Sequence, residues 1–337
     1  MGKIKVAITQ GDTNGIGYKL IFKAFEDPTI FDLCIPIIYG NPKLAAYHRN
    51  YYESPTAFHI VQNTDEAQEG QLNLLAVHDE ELKVSMGGSN EESRQAARLA
   101  FDTALEDFNK GCFDVLINSQ TLPGYIGCNV NQLYVSDNFR VMTVSNKKNL
   151  KDIPADITKE NVIARAKKLM ELLKTDFRIS NPRIALLAMN ADESTEEKEI
   201  LRPAIDELFD EGVQCFGPYN ASIFFSEEMQ KDFDAVLAMY EDQSIPVIGS
   251  RDAQVSIVYD DGTMIQTTCL PLCSEHSSLL HSISTAIMAY RNHKAYVEAG
   301  SNPLPKLYKE HKEGEEHRGP KFQPLDFDKK EDIPVSE

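Results

Sequence analysis

The first forty residues fix most of what this chain can fold into. Lys5 to Thr9 is a short apolar run that stops at Gly11-Asp12-Thr13-Asn14-Gly15-Ile16-Gly17, after which Leu20, Ile21, Ala24 and Phe25 recur at helical spacing. Cys34 to Tyr39 is a second apolar run, closed by Gly40-Asn41-Pro42. Strand, glycine turn, helix and strand make a β-α-β unit, whose natural product is a parallel pairing. The alternation continues. Ser89 and Glu92 have capping-box spacing for a helix reaching about Asn109, Asp114 to Ile117 is a strand, and Thr158 caps a helix carrying Val162, Ala166, Leu169 and Leu173. Arg183 to Ala188 reads as a strand, Ile200 to Leu208 as part of a helix before Gly212, Val236 to Tyr240 and Ile245 to Ile248 as strands, and His276 to Tyr290 as a largely apolar helix. The predicted class is α/β, as one large unit or two lobes.

Charge narrows the partners. A formal net charge of −18 repels both nucleic acid and anionic membrane, so neither is expected as a partner. No uncharged run approaches the roughly 20 residues that span a bilayer, and MGKIKVAIT lacks the apolar stretch of a secretory signal, so a cytoplasmic location is expected. The six cysteines are scattered without a CxxC pair or a zinc spacing, and reduced, mostly buried thiols are expected. From about Ser301 charged residues and prolines dominate, which predicts a disordered tail over 301–337 beyond a folded unit of 1–300.

The turn GDTNGIG opens a helix, and such a turn aims backbone N–H groups at a phosphate or carboxylate. Its spacing is neither GxGxxG nor GxxxxGK[ST], so dinucleotide and P-loop readings both fail. The alternative is a tight turn in which Gly15 and Gly17 supply positive φ or close packing.

Four segments then occur in a telling order: ITQGDTNGIG, NPRIALLAMN followed by Glu196-Glu197 and ILRPAI, GVQCFGPYNASIFF, and DAVLAMYEDQSIPV. Together, over roughly residues 4–295, they resemble the 4-hydroxythreonine-4-phosphate dehydrogenase family of pyridoxal phosphate biosynthesis. The resemblance implies two α/β/α lobes similar to isocitrate and isopropylmalate dehydrogenases, a central lobe near 115–250, a cleft active site and a homodimer. It also implies NAD-dependent oxidation of 4-phosphohydroxy-L-threonine with decarboxylation, and a divalent metal held by three histidines that polarises the substrate.

None of the eight histidines lies between His78 and His276. Matched onto the family, its ligand positions fall on Lys147, Asp192 and Glu241. A lysine ammonium has no lone pair for a metal, so the three-histidine site cannot form. Either the two carboxylates hold Mg²⁺ or Mn²⁺ through waters, or Lys147, Asp192 and Glu241 form an ion-pair cluster, which is the preferred expectation. The resemblance further marks Asp242 and Lys147 as catalytic candidates, Asp12, Asn14, Asn190 and Arg251 as cleft positions, and Glu275 and His276 as contacts to NAD. Gln120 to Pro123, Gly249, Ser256 and Gln266 stand where the family's substrate-binding side chains differ. Three readings follow: an active NAD-dependent dehydrogenase; a non-catalytic paralogue binding a metabolite, NAD or a protein; and an altered enzyme using Lys147, disfavoured because nearby carboxylates hold a lysine charged.

Overall fold

The computed structural model describes residues 3–78, 83–119, 130–136, 139–243, 255–260, 263–269 and 276–301. The Ile245–Ile248 strand and the tail beyond residue 301 lie outside them. The opening β-α-β unit forms as read: β1 (Ile4–Thr9), α1 (Gly17–Ala24) and β2 (Cys34–Gly40), with β1 and β2 parallel and Ile4 opposite Cys34. Next come α2 (Pro42–Tyr51), β3 (Phe58–Val61), β4 (Leu72–Ala76), α3 (Glu91–Asn109) and β5 (Val115–Asn118). The α3 capping box lies one residue later than the sequence suggests. The Asn90 side chain accepts from the Ser93 N–H at 2.8 Å and Ser93 Oγ accepts from the Asn90 N–H at 3.1 Å. Thr158 caps its helix as expected, accepting from the Asn161 N–H.

The second half holds β6 (Asn131–Ser136), β7 (Phe139–Thr143), α4 (Lys159–Thr175), β8 (Ile184–Leu187), α5 (Arg202–Asp210), β9 (Cys215–Tyr219), α6 (Ala221–Ser226) and β10 (Ala235–Ala238). A turn of π-helix, Glu197–Leu201, leads into α5. β11 (Val255–Asp260), β12 (Thr263–Cys269) and α7 (His276–Ser301) complete the described chain. The compact unit ends at Val297, inside α7.

Among the described residues the strands form one sheet in the order β3-β4-β2-β1-β5-β12-β11-β6-β7-β10-β8-β9. The first six are mutually parallel, and so are the last four. Antiparallel pairings of β12 with β11, β11 with β6 and β6 with β7 join these two blocks. Strand periodicity places a core on each face of each block. In β1, Ile4, Val6 and Ile8 face a core with Leu20 and Ile21 of α1 and Leu279 and Ile283 of α7, while Ala7 faces Phe101 and Ala104 of α3. In β8, Ile184 and Leu186 meet Leu169 of α4 and Leu208 of α5, and Ala185 and Leu187 meet Phe224 of α6. Each large aliphatic side chain so buried contributes about 1.5–3 kcal/mol. The expected α/β/α layering is therefore present in both blocks.

Candidate functional site

Of the two glycines expected to shape the opening turn, Gly17 acts by close packing: a Cβ there would lie 2.2 Å from the Gln10 carbonyl oxygen and 2.6 Å from Ser119 Oγ. Positive φ falls instead on Gly11, at 72°. Asp12 closes an Asx-turn, its Oδ1 accepting from the Asn14 N–H at 2.9 Å. Asn14 is buried, donates to the Gly88 carbonyl at 2.9 Å and accepts from the Ser85 N–H at 2.8 Å. This cleft candidate thus staples residues 85–88 to the turn.

Behind the turn, Gln10, Tyr18 and Asn41 are buried in one network. Tyr18 OH donates to Gln10 Oε1 at 2.7 Å, the Asn41 N–H reaches the same oxygen at 3.0 Å, and Asn41 Nδ2 lies 3.1 Å from His78 Nδ1. Burial pushes the Tyr18 hydroxyl well above its ordinary pKa.

The ends of β8, β9 and β10 differ. Loops at the carboxyl ends of parallel strands commonly hold ligands, and here they enclose a cavity of about 400 Å³. Asn190, Asn220, Ser222, Tyr240, Asp242 and Gln243 supply its polar lining. Three amides shape the rim. Gln243 Nε2 donates to the Ala188 carbonyl at 2.6 Å and its Oε1 accepts from the Met239 N–H at 2.7 Å. Asn220 Nδ2 donates to the Ala191 carbonyl at 2.6 Å, and Asn190 Nδ2 donates to Ser194 Oγ at 2.8 Å. Beneath them Glu197 is buried and accepts from the Asn190 N–H at 2.9 Å, the Ser194 N–H at 3.0 Å and the Ser194 hydroxyl at 2.6 Å. Burial alone would raise its pKa, but these bonds outweigh it and hold the carboxyl down to about 2. Asp242 and Ser222 stay exposed on the rim, available to a ligand's hydrogen-bond donors.

Of the expected site residues, the cavity brings together Asn190 and Asp242. Lys147, Asp192 and Glu241 do not form the expected ion-pair cluster. Lys147 Nζ pairs with Asp156 Oδ1 at 2.7 Å, and Ser145 Oγ donates to Asp156 Oδ2 at 2.7 Å while accepting from the Lys147 N–H at 3.2 Å. Burial tends to raise the Asp156 pKa, and these Lys147 and Ser145 contacts bring it below the ordinary value. Glu241 is taken by Lys148, one residue along, and by Tyr134 OH at 3.0 Å. Asp192 is exposed. Neighbouring side chains in a non-helical segment diverge, so the Lys147-Lys148 pair sends one ammonium to each carboxylate. The donors at the three matched positions therefore do not fit a shared metal. Among the described residues no three histidine, cysteine, aspartate or glutamate side chains gather as a metal-ligand set. Ser256 lies buried in β11, where its hydroxyl accepts from Gln132 Nε2 at 2.7 Å. Arg251, Glu275, Gly249 and Gln120 to Pro123 lie outside the described residues; His276 begins α7.

Sequence reasoning missed Lys148, Tyr134, Asp156 and Glu197. The doubled lysine signals the first, and the Glu196-Glu197 pair already marked in the motif signals the last.

The layered α/β fold is shared with solved dehydrogenases. The chain overlays on the 4-hydroxythreonine-4-phosphate dehydrogenase of Burkholderia phymatum with a TM-score of 0.66 at 19% identity, covering 86% of this chain and 99% of that one. For the Klebsiella pneumoniae structure of the same name the TM-score is 0.67 at 17% identity, covering 85% and 98%. In sequence, a 4-hydroxythreonine-4-phosphate dehydrogenase of Bacteroides thetaiotaomicron is 34% identical over 91% of this chain and 94% of its own length. The family model of the pyridoxal phosphate biosynthetic protein PdxA matches residues 32–269, and the chain belongs to that family.

Proposed function

We propose that the chain is an oxidoreductase of pyridoxal phosphate biosynthesis acting on 4-phosphohydroxy-L-threonine, with NAD as hydride acceptor. The observation that carries this reading is the near full-length likeness to the Bacteroides enzyme, which spans 91% of this chain and 94% of that one. In this reading the substrate occupies the cavity at the ends of β8 to β10. Asp242 accepts the proton of the reacting hydroxyl, Ser222 hydrogen-bonds the bound molecule, and the Asn190–Glu197 network holds the loop after β8 that forms the facing wall. NAD supplies hydride acceptance when bound; the positions the resemblance gives it, Glu275 and His276, are proposed contacts, as is Arg251 toward the phosphate. No step is routed through a metal, because Lys147 and Lys148 occupy the carboxylates near the matched positions. A cytoplasmic homodimer belongs to the same reading, and no described helix is long and apolar enough to cross a membrane.

The test is NADH formation from 4-phosphohydroxy-L-threonine at high enzyme concentration, with NAD and with Mg²⁺, Mn²⁺ or Zn²⁺ supplied or chelated. Turnover should persist through repurification, and Asp242→Asn should lower kcat by about a hundredfold or more with the fold intact. No turnover beside an active relative would overturn the reading and point to a paralogue that only binds. One equivalent of metal per chain after desalting would overturn the assignment of the two lysine pairs.

A further inference from the structure

A second cavity, of about 300 Å³, lies away from the proposed active site. Phe108 and Gly111 at the end of α3, Phe113 and Asp114 before β5, Asp176 after α4, and Tyr290 and His293 of α7 line it. It draws walls from both blocks. α7 is anchored to each: Tyr290 OH donates to Asp114 Oδ1 at 2.6 Å, Asn292 Nδ2 donates to the Asp176 carbonyl at 2.8 Å, and His293 Nδ1 lies 2.9 Å from Asp176 Oδ1.

Two properties define the occupant. The walls carry an aromatic surface, with Phe108 and Phe113 tilted at 5.8 Å between centroids and the Tyr290 ring beside them. They also carry two carboxylates, one of them paired with His293, and no lysine or arginine is among the described residues that line the cavity. Asp114 is held in place by Tyr290 and by the Lys5 N–H at 2.9 Å, and Asp176, only 2% exposed, by Thr175 Oγ1 at 2.7 Å. Asp176 is already satisfied by Thr175 and His293, so the partly exposed Asp114 is the carboxylate a ligand meets: a neutral apolar molecule would desolvate it without replacing its water, and an anion would be repelled by it. An organic ammonium satisfies carboxylate and ring face together. We propose that this cavity is a binding site for a small primary ammonium carried on an aromatic or compact apolar body. Its volume sits at the lower end for ligand sites, which limits the occupant to a small molecule. Because both blocks and α7 contribute walls, occupancy ties the blocks together and raises the melting temperature.

The probe is benzylammonium, titrated into the full chain by calorimetry, with benzyl alcohol and benzoate as neutral and anionic matches. Saturable binding at one site per chain is expected, with the two matches about tenfold weaker or worse. Asp114→Asn, which keeps one acceptor for Tyr290 or Lys5, should weaken benzylammonium about tenfold, and Ala289→Leu, which fills the cavity, should abolish binding. Asp242→Asn should leave binding unchanged. Equal binding of benzyl alcohol, indifference to both cavity variants in protein shown to be folded, absence of saturable binding, or loss through Asp242→Asn would each overturn the proposal. Catalytic turnover plays no part in the readout, so the proposal stands or falls separately from the proposed reaction.

Discussion

The two parallel blocks end their strands in opposite ways. At the end of β1, the segment that most resembles a ligand loop in sequence is closed on itself: the buried Gln10, Tyr18 and Asn41 exchange hydrogen bonds, and Gly17 packs against the Gln10 carbonyl. At the ends of β8 and β10, loops without any glycine signature turn their amides toward neighbouring backbone and leave Asp242 and Ser222 facing a cavity. Glycine content reports how closely backbone must approach something. In the first block that something is the protein's own chain.

The sharpest way to break this contrast is Gly17→Ala. Alanine is intrinsically better in a helix by about 1 kcal/mol, yet its methyl would collide with backbone at 2.2 Å, so a net loss of about 3 kcal/mol is expected in urea unfolding. A neutral or stabilising result would mean the turn has room for a ligand after all. In the second block, Glu197 should give an acid-sensitive term. Its folded pKa, about 2, lies below the ordinary 4.5, so its stabilisation is complete above that value and is lost as pH falls from 4.5 through about 2. About 2 kcal/mol should disappear over that window, and Glu197→Gln should flatten the pH dependence of the urea midpoint. Tyr18→Phe removes the hydroxyl that serves Gln10 and Asn41 and should cost about 1–2 kcal/mol, with no change in any ligand affinity of the second block. Smallest is Lys148→Ala. Its ammonium is largely exposed, so stability should shift by no more than about 0.5 kcal/mol, with Glu241 left to the Tyr134 hydroxyl.

Where apolar periodicity and caps coincide, the sequence was readable: α3 ends at Asn109, α4 follows its Thr158 cap, and β1, β2 and β8 fall within a residue or two of expectation. β6, β7, β11 and β12 were not read. Their residues alternate with polar ones such as Gln132, Tyr134, Arg140 and Ser256, which find partners across the sheet, so nothing local distinguishes them from loop. For the site, motif order placed Asn190 and Asp242 at one cavity. The lysine partners were a one-residue question that only the turn through Ser145 decides.

The strand order also sets a timetable. β7 through β10 come from one continuous stretch, 139–243, whereas the first block draws β12 and α7 from the far end of the chain, with Leu279 and Ile283 packed beneath β1. A ribosome therefore releases all four strands of the second block, short only of the β11 residues Val255 and Ile257 that join its core, while the first still shows an uncovered apolar face, and the earliest-made strands are the last to be sealed. Pulse-labelled hydrogen exchange during refolding should find amides of β8 and β10 protected before those of β1, and chains lacking α7 should be the ones that chaperones retain.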